Sequence, residues 1–173
     1  PLTHGMIGWL MGSSLETRRN RVLVSIAAVV PDLDGAGIII SLEHYALYHH
    51  VFGHNIFVGF ILSFLALILA KTEKLKTAVL VLLSFNAQHV LGDLLGSGAE
   101  WGVPYFWPLD EMIYNFSAPF QWELNSWQNF LVTFLCLAAI VRIGLRRNRT
   151  IVELFSVKAD AEVLLVLRRW FGA

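Results

Sequence analysis

The chain has 173 residues, of which 56% are hydrophobic and only 15% charged, with a mean hydropathy of +0.60. Soluble domains run at about 45–50% apolar and about 25% charged, so this balance favours a membrane protein. Thirteen basic and thirteen acidic residues cancel, which leaves no bulk charge for holding nucleic acid, and the single cysteine, Cys136, excludes an intrachain disulfide.

In chain order, LTHGMIGWLMG (2–12) predicts a short amphipathic helix with His4 near its start. Arginines follow this run rather than precede it, which is unlike a cleavable signal. VLVSIAAVV predicts a second helix, which Pro31 breaks, and the glycines of GAG at 35–37 loosen the chain beyond it. YHHVFGHN (48–55) then crowds His49, His50 and His54 against the uncharged run IFVGFILSFLALILA. A turn bearing Lys71, Lys74 and Lys76 joins that run to a partner helix ending in HVLGD (89–93). Residues 96–127 read as a long irregular loop rich in aromatics, and 129–141 as a further apolar helix. The tail, containing AEVLLVLRRWFGA, predicts an amphipathic helix lying on the basic face. The expected fold is all-α: a membrane-embedded bundle of about four apolar helices (22–31, 56–70, 77–92, 129–141), a short N-terminal helix and a C-terminal amphipathic helix. Residues 1–149 would form the embedded domain and 150–173 the tail.

The placement of charge predicts topology. No Lys or Arg occurs between Val22 and Ala70, nor between Thr77 and Val141. The basic clusters at 18–21, 71–76 and 142–149 punctuate the apolar segments and, for antiparallel spans, emerge on one face. Basic residues near span ends favour the cytoplasmic side, so the acidic, His-rich face should look outwards. Fifteen helical residues cover only about 22 Å, against a hydrocarbon core of about 30 Å, so the spans are short.

The candidate chemistry lies on that outward face. His50 and His54 are four residues apart, as are His89 and Asp93, and side chains at this spacing on a helix can converge on one cation. Asp32 and Asp34, in PDLD, follow a helix break and offer oxygen ligands; His4 joins them if the first helix runs inwards to the arginines. Taken singly, each is more often a cap or a core residue. Together, ionisable groups beside hydrocarbon tend to be functional. Nitrogen and carboxylate ligands suit a divalent ion, zinc first, with manganese or iron as alternatives.

THG near the start, PDLD after an apolar helix, HHVFGHN opening a hydrophobic helix, and HVLGD followed by the pair Trp107-Pro108 resemble, over residues 3–108, the YdjM-type family. That resemblance implies an inner-membrane-associated, metal-dependent hydrolase. The family's histidine motif resembles H-R-G-x-T-H-S, on which His49 and His54 are the matching histidines and His50 stands in the arginine's place. Whether His49 or His50 is the ligand stays open, and a cation suited to an anionic substrate is missing. The order of His, Asp, His and H-x-x-x-D is also similar, more loosely, to zinc-dependent phospholipases C.

The expected function is therefore hydrolysis of a phosphoester or other ester, with a lipid-like substrate and membrane lipids as surroundings. His4, Asp32, His54, His89 and Asp93 would hold one or two ions, with Asp32 and Asp34 as the catalytic pair and Asp34 as general base or as partner of a ligand. Trp101, Tyr105, Phe106 and Trp107 would wall the site or anchor the chain at the lipid interface. The alternatives are an ion carrier and a structural-metal scaffold. A carrier needs a polar path inwards, and segments 56–70 and 129–141 offer almost nothing beyond Ser63 and Thr133, and 77–88 little beyond Ser84, Asn86 and Gln88.

Overall fold

A computed structural model describes residues 2–49, 51–98, 101–116 and 120–172, with the side chains of 46–48 and 89–91 also outside the described set. Every regular element among the described residues is helical, apart from an isolated bridge between Val103 and Tyr114. The α-helices are α1 (Leu2–Gly12), α2 (Arg18–Ala27), α3 (Leu42–Tyr48), α4 (Ile56–Leu69), α5 (Lys74–Asn86), α6 (Asp93–Gly96), α7 (Trp127–Arg147) and α8 (Val157–Phe171).

The local breaks follow from the residues. Thr17 caps α2, its hydroxyl accepting from the Asn20 backbone N–H. Pro31 ends the α-helical path, and the chain bends by 51° into a 3-10 segment, Val30–Ile39. Asn55 caps α4 through Val58 N–H, while its amide donates to the Val51 and Phe52 carbonyls and so fixes the loop that carries His54. The helix expected over 77–92 is α only to Asn86. It continues as a π-helical turn, Ala87–Gly92, before α6, a local distortion frequent at functional sites. At the other end α7 runs past the expected 141 to Arg147, and Asn148 closes it in the left-handed conformation that Asn tolerates.

Packing places α1 at the centre. It lies against α2, α5 and α7, with Trp9 fully buried beside Cys136 and Ile140 of α7. A second cluster joins Leu15, Val24 and Ala27 to Ala66 and Val81 of the α4–α5 hairpin. Gly8 permits the close α1–α2 crossing, because a Cβ there would stand 2.8 Å from that of Ala28. Asn20, fully buried, holds the hairpin turn by donating to the Thr72 carbonyl and accepting from Lys71 N–H.

Of the four apolar segments expected to span a membrane, α7 alone is long and apolar enough by itself. Its 21 residues rise about 31 Å, and only 17% of its apolar window is buried. A core helix of a soluble protein would be mostly buried; α7 instead exposes Phe130, Phe134, Leu135 and Leu137. α2 and the 3-10 segment together would make a second, bent span, whereas α4, with 14 residues, is shorter. α4 also turns Phe60, Ile61, Phe64 and Ile68 outwards.

The basic residues are less free than their sequence clusters suggest. Arg21 is buried and forms a bidentate pair with Glu153, both contacts 2.6 Å, while its remaining nitrogen donates to the Leu15 and Glu16 carbonyls. Trp9 adds a third hydrogen bond to Glu153, 3.0 Å long. The tail expected from 150 is thereby tied to α1 and α2 before α8 begins.

Candidate metal centre

Four separate stretches deliver ionisable side chains to one place. α1 brings His4, the 3-10 segment Asp32 and Asp34, the loop before α4 His49 and His54, and the junction of the π-helical turn and α6 Asp93. His54, fully buried, faces three carboxylates: Nδ1 lies 3.0 Å from Asp34, and Nε2 lies 3.7 Å from Asp32 and 3.5 Å from Asp93. His4 Nε2 contacts the other Asp93 oxygen at 3.3 Å. One ligand atom each from His4, Asp32 and Asp93 lie within 4.8 Å of one another. Ligand atoms around a tetrahedral zinc ion stand about 3.4 Å apart, so this grouping would need to draw in by no more than about 1.4 Å to hold one.

Backbone chemistry explains the approach. The turn at 31–34 and the loop at 51–55 are pressed together at Gly53, where a Cβ would stand 2.5 Å from the Pro31 carbonyl oxygen. Gly53 N–H donates to Asp34 Oδ2 at 3.3 Å. Asp34 therefore organises both histidines, with Oδ1 2.7 Å from His49 Nδ1 and Oδ2 shared between His54 and the Gly53 backbone. Of the two roles expected for Asp34, this geometry is that of the group that orients imidazoles.

Charge balance is lopsided here. Three carboxylates meet imidazoles in a region whose sequence carries no Lys or Arg from Val22 to Ala70 or from Thr77 to Val141. His54 lies outside the helices, and burial alone would lower its pKa. The carboxylates of Asp32 and Asp34, then the charge of Asp93, outweigh that and push it up to about 9. Carboxylates grouped with imidazoles in this way can hold a divalent cation. The donor set of imidazole nitrogen and carboxylate oxygen fits such an ion.

The group forms one wall of a cavity of about 880 Å³, which His4, Asp32, His49 and Asp93 all line. His54 and Asp34 stand behind that wall. Of the expected aromatic residues, Trp101 lines the cavity, edge-on to His49, while Trp107 packs on Phe52 and Tyr105 donates to Asn86 instead. Tyr45, for which the sequence suggested no role, stacks on His49 with ring centroids 4.6 Å apart. Its spacing of four from His49 was an available signal. Trp122 and Asn129, which also line the cavity, carried none. His50 and the side chain of His89 lie outside the described residues.

Fold and site together describe a helical protein with one helix long and apolar enough to cross a membrane and a group of histidine and aspartates that could hold a metal ion. The family described as YdjM inner membrane protein matches residues 1–167, and the chain belongs to that family. Neither a curated protein nor a solved structure matches it.

Proposed function

We propose that this protein is a membrane-embedded, metal-dependent hydrolase acting on a phosphoester or other ester. The observation that carries the reading is the convergence of His4, Asp32 and Asp93 around His54 on the wall of a cavity large enough for a small-molecule ligand. His4, Asp32 and Asp93 would hold the ion, with His54 completing the set. When bound, a divalent ion, zinc first, supplies Lewis-acid activation of a water for ester cleavage. The chain's own contribution is placement. Asp34 fixes the rings of His49 and His54, Asp32 is set to receive a proton at the cavity wall, and Tyr45 and Trp101 shield His49 from bulk water. The four apolar segments would form the embedded bundle, with the basic turns cytoplasmic and the metal group towards the outer face.

Metal analysis of the purified full chain, followed by assay on phosphomonoester, phosphodiester and carboxylester substrates, tests this. Bound zinc, manganese or iron together with turnover is expected, and both should be lost in Asp93→Ala and His4→Ala. Intact metal binding with no turnover across the panel would favour a structural-metal scaffold and sink the enzyme.

A further inference from the structure

The cavity has two unlike walls. One carries His4, Asp32, His49 and Asp93; the other is built from Trp122, Leu124, Phe130 and Val132. Leu124 and Phe130 line the cavity yet are 72% and 68% exposed, so the same side chains also belong to the outer apolar surface. Trp127 and Phe134 of α7, the helix best suited to cross the membrane, are exposed as well, as is Phe120 in the loop before it. The cavity thus opens sideways, onto the face that meets hydrocarbon.

The mouth is held in place. Trp122 donates its backbone N–H to the Leu95 carbonyl at 2.8 Å and its indole N–H to Asn129 at 3.0 Å, and Asn129 donates to the Gly96 carbonyl. These bonds fasten the 120–124 loop to α6 and α7, so the opening exists without rearrangement.

Charge narrows the occupant further. Every lining residue comes from 3–7, 32–49 or 87–133, and none of these stretches contains Lys or Arg. Among the described residues, the carboxylates and imidazoles of the lining are His4, His49, Asp32, Asp93 and, at the rim, Glu123. Beyond the single charge that the ion can take up, a phosphomonoester dianion or an anionic lipid head would find no Lys or Arg among the described lining residues to pair with. A zwitterionic head brings one negative charge for the ion and an ammonium group for Glu123 and the faces of Trp101 and Trp122. Its acyl chains stay in the apolar mouth, where burial against Leu124 and Phe130 is favourable.

We propose that the occupant of this cavity is a zwitterionic membrane phospholipid, entering laterally from the bilayer between Leu124 and Phe130 with its head at the metal group. This deepens the hydrolase reading and rests on it for the reaction, but the occupant can be tested without turnover. Full-length protein carrying the photocrosslinker benzoylphenylalanine in place of Leu95, inside the cavity, is reconstituted in vesicles of equal parts phosphatidylethanolamine and phosphatidylglycerol. A reference protein carries it in place of Phe64, which is exposed on α4 and outside the cavity. Should Leu95 not tolerate the probe, Trp122 accepts an aromatic replacement at the same wall. Mass spectrometry should find phosphatidylethanolamine adducts at the cavity position enriched about ten-fold over the Phe64 ratio, a discrimination of about 1.4 kcal/mol. No lipid adduct at either cavity position, or a ratio equal to that at Phe64, overturns the proposal. Turnover of a soluble ester without lipid adducts removes the lipid and leaves the hydrolase; enriched adducts without turnover of any ester uphold the lipid and remove the reaction.

Discussion

Two buried polar clusters share α1 and differ in kind. In the first turn His4 meets Asp93; about 8 Å further along the helix axis, Trp9 meets Glu153. Around Glu153 the charges close: one carboxylate faces one guanidinium, bidentate, and the other guanidinium nitrogen is taken up by two carbonyls. Around His54 the arrangement is different: among the described residues three carboxylates crowd imidazoles, and the sequence stretches that bring them there carry no Lys or Arg. Closure marks a cluster that serves the fold, because nothing more can be added without breaking a bond. Carboxylates and imidazoles grouped on a cavity wall mark a cluster that can serve a ligand, because they border space that a ligand can enter.

The largest effect should come from the closed cluster. Glu153→Ala leaves Arg21 buried without its partner, and breaking a buried pair on one side costs about 3–5 kcal/mol. Denaturant unfolding in detergent should show that loss, while the folded fraction binds metal as before. A loss of metal affinity without a loss of stability would reverse the roles assigned to the two clusters.

Asp34→Asn comes next. It keeps the shape but weakens the hold on His49 and His54, and groups that orient ligands typically contribute about 10–100-fold in metal affinity or activity. Competitive titration against a chelating dye measures this; unchanged affinity would detach Asp34 from the site. Gly53→Ala is steric. Its Cβ would overlap the Pro31 carbonyl, so the two loops must part at a cost of about 1–3 kcal/mol. Parting them also moves His54, so Gly53→Ala should impair both stability and metal binding, unlike Glu153→Ala.

The site was more legible than the bundle. Asp32, His54 and Asp93 could be named because Pro31, the Asn55 cap and the helix end at 93 put ionisable residues at element boundaries, where local sequence fixes position. His4 was reachable through the same logic of a first turn. The Arg21–Glu153 pair was not: 132 residues separate its members, and both stood in clusters that resembled solvated charge. Hydropathy likewise marked four apolar segments without distinguishing α7, exposed along its length, from α5, which turns Thr77, Val81, Ser84 and Phe85 inwards. The π-helical turn at 87–92 has no compositional signature, so the regular i, i+4 geometry assumed for His89 and Asp93 missed a change of helical pitch.

In protein stripped of metal, the cluster around His54 should make stability depend on pH. His54 has a folded-state pKa of about 9 against an ordinary value of 6.5. Its protonated form therefore stabilises the fold: the contribution is complete below about pH 6.5 and is lost as pH rises through about 9. Chelated protein should lose about 1–2 kcal/mol between pH 7 and pH 9, roughly 2–8 °C in Tm for a chain of this size. In the metal-loaded protein the ion replaces the proton as the positive partner of Asp32, Asp34 and Asp93, and the slope should flatten. An equal fall with and without metal would mean that the ion and His54 do not share those carboxylates.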